Sequence, residues 1–400
     1  MESYLLDWAN LLVRWLHLVA GIAWIGASFH FIGLDLTLEP PKDEKDRAKG
    51  VMGEQWGVHG GGFYHKQKYL VAPPRLPERL HWFKWEAYTT WMSGMGLLVI
   101  VYWIGASTYL IDPDIAALSP GAAVAISIAV LLGGWLVYDT LCRSRLGEHD
   151  LAFGIVGFAI TVAVAFALSK LFSGRGAYIH VGAMLGTIMA ANVFFVIIPG
   201  QRRMVAAMHE GKAPDPVHGK RGKQRSVHNN YITLPVLFVM ISNHYPMTYG
   251  HAHSWAVLAV VALAGAVIRH FYNRRHVGRT IWALPAVFAA LIVGLAAAIA
   301  PPGTWRAAPR GGEAPAFDRV RAVIAERCVA CHARVPTQDG IAAPPQGVIL
   351  ETPAQLRRWA AKINEVAVVR QTMPAGNLTE MTDDERRLLG AWFAAGAPVD

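Results

Sequence analysis

Eight stretches of the 400-residue sequence, at 8–34, 86–111, 119–141, 151–172, 177–199, 229–248, 254–272 and 280–300, are apolar over about 20 residues, the length a helix needs to cross a bilayer. Within hydrocarbon every backbone N–H and C=O must find an internal partner, so such stretches are expected to form a helical membrane bundle. The sixth is the least regular. It contains Pro235 and ends in ISNHYPMTYGHAH, which suits a broken or cavity-lining helix better than a lipid-facing one. With 54% hydrophobic and only 16% charged residues, the chain is not an ordinary soluble globule.

The formal charge of +9 does not point to nucleic acid, because the basic residues gather in the gaps between apolar runs. Lys42 to Arg79 follow the first stretch, Arg143 and Arg145 the third, Arg202 to Arg225 the fifth, and Arg274, Arg275 and Arg279 the seventh. The alternate gaps hold almost nothing basic beyond Lys170 and Arg175. Basic loops stay in the cytoplasm, so both termini are expected outside it. The N-terminus carries Glu2 and Asp7 rather than lysines and shows no clear cleavage site, so the first stretch reads as a retained span.

After the last stretch, residues 301–315 form a Pro/Gly/Ala linker and residues 316–400 read as a small all-helical domain. Phe317, Val320, Val323 and Ile324 share one helix face. Thr382 and Glu385 form a capping box ahead of the apolar stripe Leu388, Leu389, Trp392 and Phe393. Within this region stands CVACH. Cys328 and Cys331 are spaced for thioether attachment of a haem c, with His332 as its proximal iron ligand. Met373, in RQTMPAGN, is the expected sixth ligand, with Met381 as its competitor. Covalent haem is attached outside the bacterial cytoplasm, in agreement with the charge pattern. The third cysteine, Cys142, reads as a small residue at a membrane edge.

A haem that receives electrons needs a donor site. Arg14 and His17 lie three apart inside the first stretch, and ionisable groups within a span are costly and functional by default. By depth they belong to the outer half, with His180, Asn243, His244, His251 and His253. His30, His59, His65, His81, His228 and His270 form a second set on the cytoplasmic side. The outer set suits a shared cofactor or substrate site. The triple glycine of EQWGVHGGGFYHKQKY serves either a tight turn or close approach of a flat ligand.

RWLHLVAGIAWIGASFHFIGLD, WGVHGGGFYHKQKY, LHWFKWEAYTTWMSG and a tethered CVACH domain together resemble the bacterial membrane-bound, cytochrome-c-containing urate oxidases, over essentially the whole chain. The His-x₃-Gly-x₂-Trp segment at His17 is also similar to a membrane protoporphyrinogen oxidase family and to copper-resistance membrane proteins, neither of which carries a fused haem c. The resemblance implies an inner-membrane enzyme with periplasmic termini. It would hydroxylate urate to 5-hydroxyisourate with water as oxygen source, passing electrons through haem c to a soluble cytochrome or terminal oxidase without forming hydrogen peroxide. With urate as the anionic substrate, Arg14 would pair with it, and His17 or His244 would act as base or hold an additional haem b or metal, for which His180 is a further candidate ligand. The alternative is a membrane-anchored electron-transfer cytochrome taking electrons from quinol. The fold expected is all-α: a bundle of about eight spans over 1–300 with a class I-like cytochrome c domain behind it.

Overall fold

The computed structural model describes residues 2–300, 314–339, 341 and 343–399, so all but the last two residues of the expected linker lie outside the described residues. Long helices dominate: α1 (Glu2–Leu36), α2 (Trp85–Leu97), α3 (Pro120–Arg143), α4 (Asp150–Leu168), α5 (Gly174–Ala191), α6 (Ile198–His209), α7 (Pro216–Ser242), α8 (Ser254–His276) and α9 (Ala283–Ala298). By length and composition five helical segments are candidate membrane spans: Tyr4–Leu36, Pro120–Arg143, Asp150–Leu168, Gly174–His209 and Ser254–His276.

The other three expected stretches are helical but fall short for visible reasons. The second passes from α2 into a π-helical segment, Leu98–Ile104. The first half of α7 is polar (HGKRGKQRSVHNN). The last, α9, has only 16 residues. Pro235 does not break α7, which runs on to Ser242; Gly265 of α8 leaves room beside the proline ring. The helix stops instead at Asn243.

The most buried segment runs through α5 and α6. Tyr178, Val181, Met184, Leu185 and Ile188 of α5 meet Leu131 of α3 and Val236 and Val239 of α7. Close approach depends on small residues: a side chain at Gly134 would strike Met184, and one at Gly182 would strike Val239. Toward the far end of α5 lies a polar network. Arg225 donates from Nη2 to Asp139 Oδ1 at 2.7 Å and from Nη1 to Asn192 Oδ1 at 3.1 Å. Asn192 in turn donates to Asn229 Oδ1 at 2.8 Å and to the Tyr138 hydroxyl at 3.0 Å. Removing one member of a buried ion pair typically costs about 3–5 kcal/mol, because the other charge stays buried alone. Asp139→Ala should therefore lower the unfolding midpoint in detergent sharply, whereas Arg143→Ala, on the exposed partner of the same carboxylate, should barely move it.

Between α1 and α2 the triple-glycine segment makes an antiparallel hairpin, β1 (Val51–His59) and β2 (Gly62–Tyr69). Gly60 and Gly61, at φ +57° and +79°, form its two-residue turn, a conformation that glycine adopts without strain. This favours the turn reading of the glycines.

Residues 314–399 form a second helical unit with α10 (Phe317–Arg327), α11 (Pro353–Ile363) and α12 (Asp383–Ala394). Val320, Ile324, Leu356, Leu389 and Trp392 build its core, and the Thr382–Glu385 capping box is present. This unit caps one end of the bundle. Asn377 Nδ2 reaches Asp114 Oδ2 at 3.4 Å, and Arg370 Nη2 donates to Ile299 O at 2.9 Å. Gly376 lies so close that a Cβ there would meet Ile111 O at 3.0 Å. The hairpin lies at the opposite end, where α1 finishes.

Candidate functional site at the capped end

The π-helical segment that interrupts the second stretch carries Tyr102, 4% exposed, and π-helical turns recur at functional sites because they re-aim a side chain. Four polar residues converge on this tyrosine. Arg175, at the start of α5, donates from Nε to the Tyr102 hydroxyl at 3.1 Å, and that hydroxyl reaches Asn243 Oδ1 at 3.5 Å. His180 meets the Tyr102 ring edge-on at 5.8 Å. Arg14 lies within electrostatic range of Tyr102 and Arg175. The Arg175 guanidinium sits over the Tyr109 ring at 4.9 Å and the Tyr102 ring at 5.8 Å.

Arg14 and Arg175 thus lie within electrostatic range of each other, and neither forms an ion pair among the described residues. Arg14 donates only to the neutral Asn10 carbonyl, at 2.9 and 3.3 Å. Like charges held together without a counter-ion favour an anion, and planar guanidinium forks with aromatic faces favour a flat one. Tyr102 and Arg175 were not among the residues singled out from sequence. Arg175 did leave a trace there, as one of two basic residues in gaps that were otherwise empty of them.

His17 lies one turn along α1 from Arg14. Its Nδ1–H donates to Thr90 O at 2.9 Å with Ser93 Oγ at 3.1 Å, which fixes the tautomer and leaves Nε2 as the basic nitrogen. A Cβ at Gly94 would meet the ring at 3.0 Å, so the glycine makes room for it. His180 and His244 depart from the roles expected of them. The buried His180 donates from Nδ1 to Gly176 O at 2.8 Å and accepts at Nε2 from Ser127 Oγ at 2.7 Å, so neither nitrogen is left to bind a cofactor. His244 is exposed at the end of α7, while its neighbour Asn243 turns toward Tyr102. Among the described residues no three His, Cys, Asp or Glu side chains come together as a metal site, and no contact joins His17, His180 and His244. With both ring nitrogens taken, His180 does not fit as a cofactor ligand.

The residues of the CVACH motif do fit a haem. His332 donates from Nδ1 to Val348 O at 3.0 Å, which orients the ring and leaves Nε2 for iron. Burial holds this imidazole below the ordinary histidine range, so it is neutral, and pushes the Cys328 thiol up to about 12. Cys328 and Cys331 are both free. Met373 is 36% exposed on the docking loop, whereas Met381 is 3% exposed within the core, which favours Met373 over its competitor. The loop from Arg370 to Asn377 that carries Met373 is also the one that rests on the bundle. A Cβ at Gly250, just past Tyr249, would meet Thr372 Cγ2 at 2.5 Å.

A further buried polar trio lies toward the hairpin end. Asn230 Oδ1 accepts from Arg269 Nε and from Asn273 Nδ2, both at 2.9 Å, while Arg269 stacks on Phe29 at 3.8 Å. Asn230 Nδ2, Arg269 Nη2 and Asn273 Oδ1 have no partner among the described residues. Two donors and one acceptor complement a single water molecule. The family model that matches the chain, over residues 3–300, is described as urate oxidase N-terminal. Among curated proteins and among solved structures no significant match is found.

Proposed function

This chain belongs to the urate oxidase N-terminal family, and on that premise we propose that it is a bacterial inner-membrane enzyme that converts urate to 5-hydroxyisourate and sends the electrons to a haem c in its own C-terminal unit. The step balances as urate plus water giving 5-hydroxyisourate, two protons and two electrons. One observation supports the placement of the site: Arg175, without a carboxylate partner, donates to Tyr102 and follows Gly174, which packs on Tyr249 beside the Gly250 that meets Thr372 in the loop bearing Met373. Arg175 and Arg14 hold the urate anion, the Tyr102 and Tyr109 rings that flank Arg175 offer it aromatic faces, and the Asn243 amide reads its edge. His17 Nε2 takes a proton from urate or from the attacking water. Bound through Cys328, Cys331, His332 and Met373, haem c would accept the electrons one at a time and pass them to a soluble cytochrome or terminal oxidase, so no hydrogen peroxide forms. With the capped end periplasmic, both termini lie on that side.

The test is an anaerobic titration of the purified holoprotein with urate. The reading expects the c-type spectrum to become reduced, with two electrons recovered per urate. If the pigment stays oxidised under urate but is reduced by a quinol, the protein is an electron-transfer cytochrome instead. A second measurement checks the docking. Gly250→Val pushes on Thr372 and Arg370 from the bundle side, and on the Pro246 carbonyl of its own turn, so urate-driven reduction should slow by more than an order of magnitude while dithionite reduces the pigment at the unchanged rate.

A further inference from the structure

We propose that the tip of the β1–β2 hairpin is a lipid-binding device that inserts its apolar face into the membrane surface at the hairpin end of the bundle. This rests on the bundle's spanning a membrane and not on the urate reading. The direction of the hairpin comes from contacts with the end of α1. Glu54 bridges Glu39, Gln55 Nε2 donates to Thr37 Oγ1, Lys68 Nζ bonds Asp35 at 2.6 Å, and Lys66 Nζ reaches His30 Nε2 at 3.2 Å. Along each strand, residues nearer the turn therefore meet earlier residues of the chain, Glu39 then Thr37 on β1 and Asp35 then His30 on β2. The hairpin doubles back along α1, toward the bilayer.

Its reach can be estimated. The rung Gln55–Lys66 lies between the levels of Thr37 and His30, and four more rungs follow, ending at His59–Gly62. At ~3.4 Å per rung they extend about 14 Å. That equals about nine residues of α1 at ~1.5 Å each, which returns the tip to the level of residues in the twenties. Helix α2 gives the depth of that level. Gly21 faces Thr90 and His17 faces Gly94, so Trp85, where α2 begins, stands beside the same part of α1. Tryptophans at a helix end mark the membrane–water interface, where an amphipathic element sinks by about 5–10 Å.

The side chains at the tip suit that position. Trp56, Val58 and Phe63 are 65%, 72% and 80% exposed. Val58 pairs with Phe63 across the strands, and Trp56 stacks on the opposite His65 at 4.3 Å, so all three lie on one face. Phe83 and Trp85, at and just before the start of α2, are exposed apolar side chains as well. Facing water, such a surface would be an aggregation hazard on an isolated two-stranded hairpin. Shallow insertion covers it and leaves the strand edges in the hydrated headgroup layer, where backbone groups still find partners.

Site-directed fluorescence tests this. Phe63→Cys, labelled with an environment-sensitive dye, is placed in liposomes beside a Leu132→Cys control on the exposed face of α3. Cys142 is buried, and thioether bonds would occupy the other two cysteines. The label at 63 should emit as in an apolar medium and be quenched by lipids with a shallow spin label more than by lipids with a deep one. A water-like emission at 63 overturns the proposal. So does an apolar emission that no spin-labelled lipid quenches, which would mean that a second copy of the chain covers the tip. Quenching at position 132 in either case leaves the membrane reading standing.

Discussion

Replacing Arg175 by methionine is expected to slow urate-driven reduction of the haem by roughly two to three orders of magnitude, the range found when a charge-stabilising group is removed from a preorganised site. Pigment content and its spectrum should not change. The reason lies in what Arg175 touches. Its polar contact is the Tyr102 hydroxyl, and its other neighbours are aromatic faces, so the substitution strands no carboxylate and methionine retains much of the packing. The loss falls on whatever anion the guanidinium holds. Arg175→Lys restores the charge without the planar fork and should recover only part of the rate. Tyr102→Phe removes the hydroxyl that aims Nε, worth about 1 kcal/mol for a neutral hydrogen bond, and should cost several-fold, chiefly in affinity for urate. Unchanged kinetics for Arg175→Met would remove the capped-end site from consideration. The same assay on Arg269→Met, in the buried trio near the hairpin, would then show whether urate binds there.

The residues of this site were unevenly legible in the sequence. Arg14 and His17 announce themselves, because a charge within an apolar stretch has few explanations, and the helix places them on one side of α1. Tyr102 does not, because an aromatic residue in LVIVYWI is indistinguishable from lipid-facing or core material until the π-helical turn aims it inward. Asn243 and His244 show the limit of depth arguments. Both sit at the same level, but successive residues at a helix end point in different directions, and only the fold selects which one meets Tyr102. His180 was misjudged for another reason: a buried histidine can be satisfied entirely by local partners, here Gly176 one turn earlier and Ser127 on a neighbouring helix. The hairpin went unread because period-2 patterning is weak in a stretch with five glycines and mixed polarity. The Arg225–Asp139–Asn192 network joins residues far apart in sequence, which no local pattern reveals.

The two methionines of the C-terminal unit should separate ligation from packing. Met373→Ala is expected to leave the thioether-bound pigment in place and convert its iron from low spin to high spin. A thioether ligand raises the reduction potential, so its loss lowers the potential and collapses the rate at which urate reduces the haem. Met381→Ala should do the reverse. Its side chain packs against the core of the unit, and a buried Met→Ala change costs about 2–5 kcal/mol, so the unfolding midpoint falls while the spectrum keeps its low-spin form. The placement of Met373 also ties the chemistry to the interface. Arg386 donates to the Met373 carbonyl at 2.8 Å, and Gly376, three residues on, is in contact with the loop at Ile111. The segment that would supply the sixth ligand is therefore held from one side by α12 and from the other by the bundle. If Met381→Ala, and not Met373→Ala, changed the spin state, Met373 would not be the residue that holds the iron, and the loop resting on the bundle would lose its proposed part in receiving the electrons.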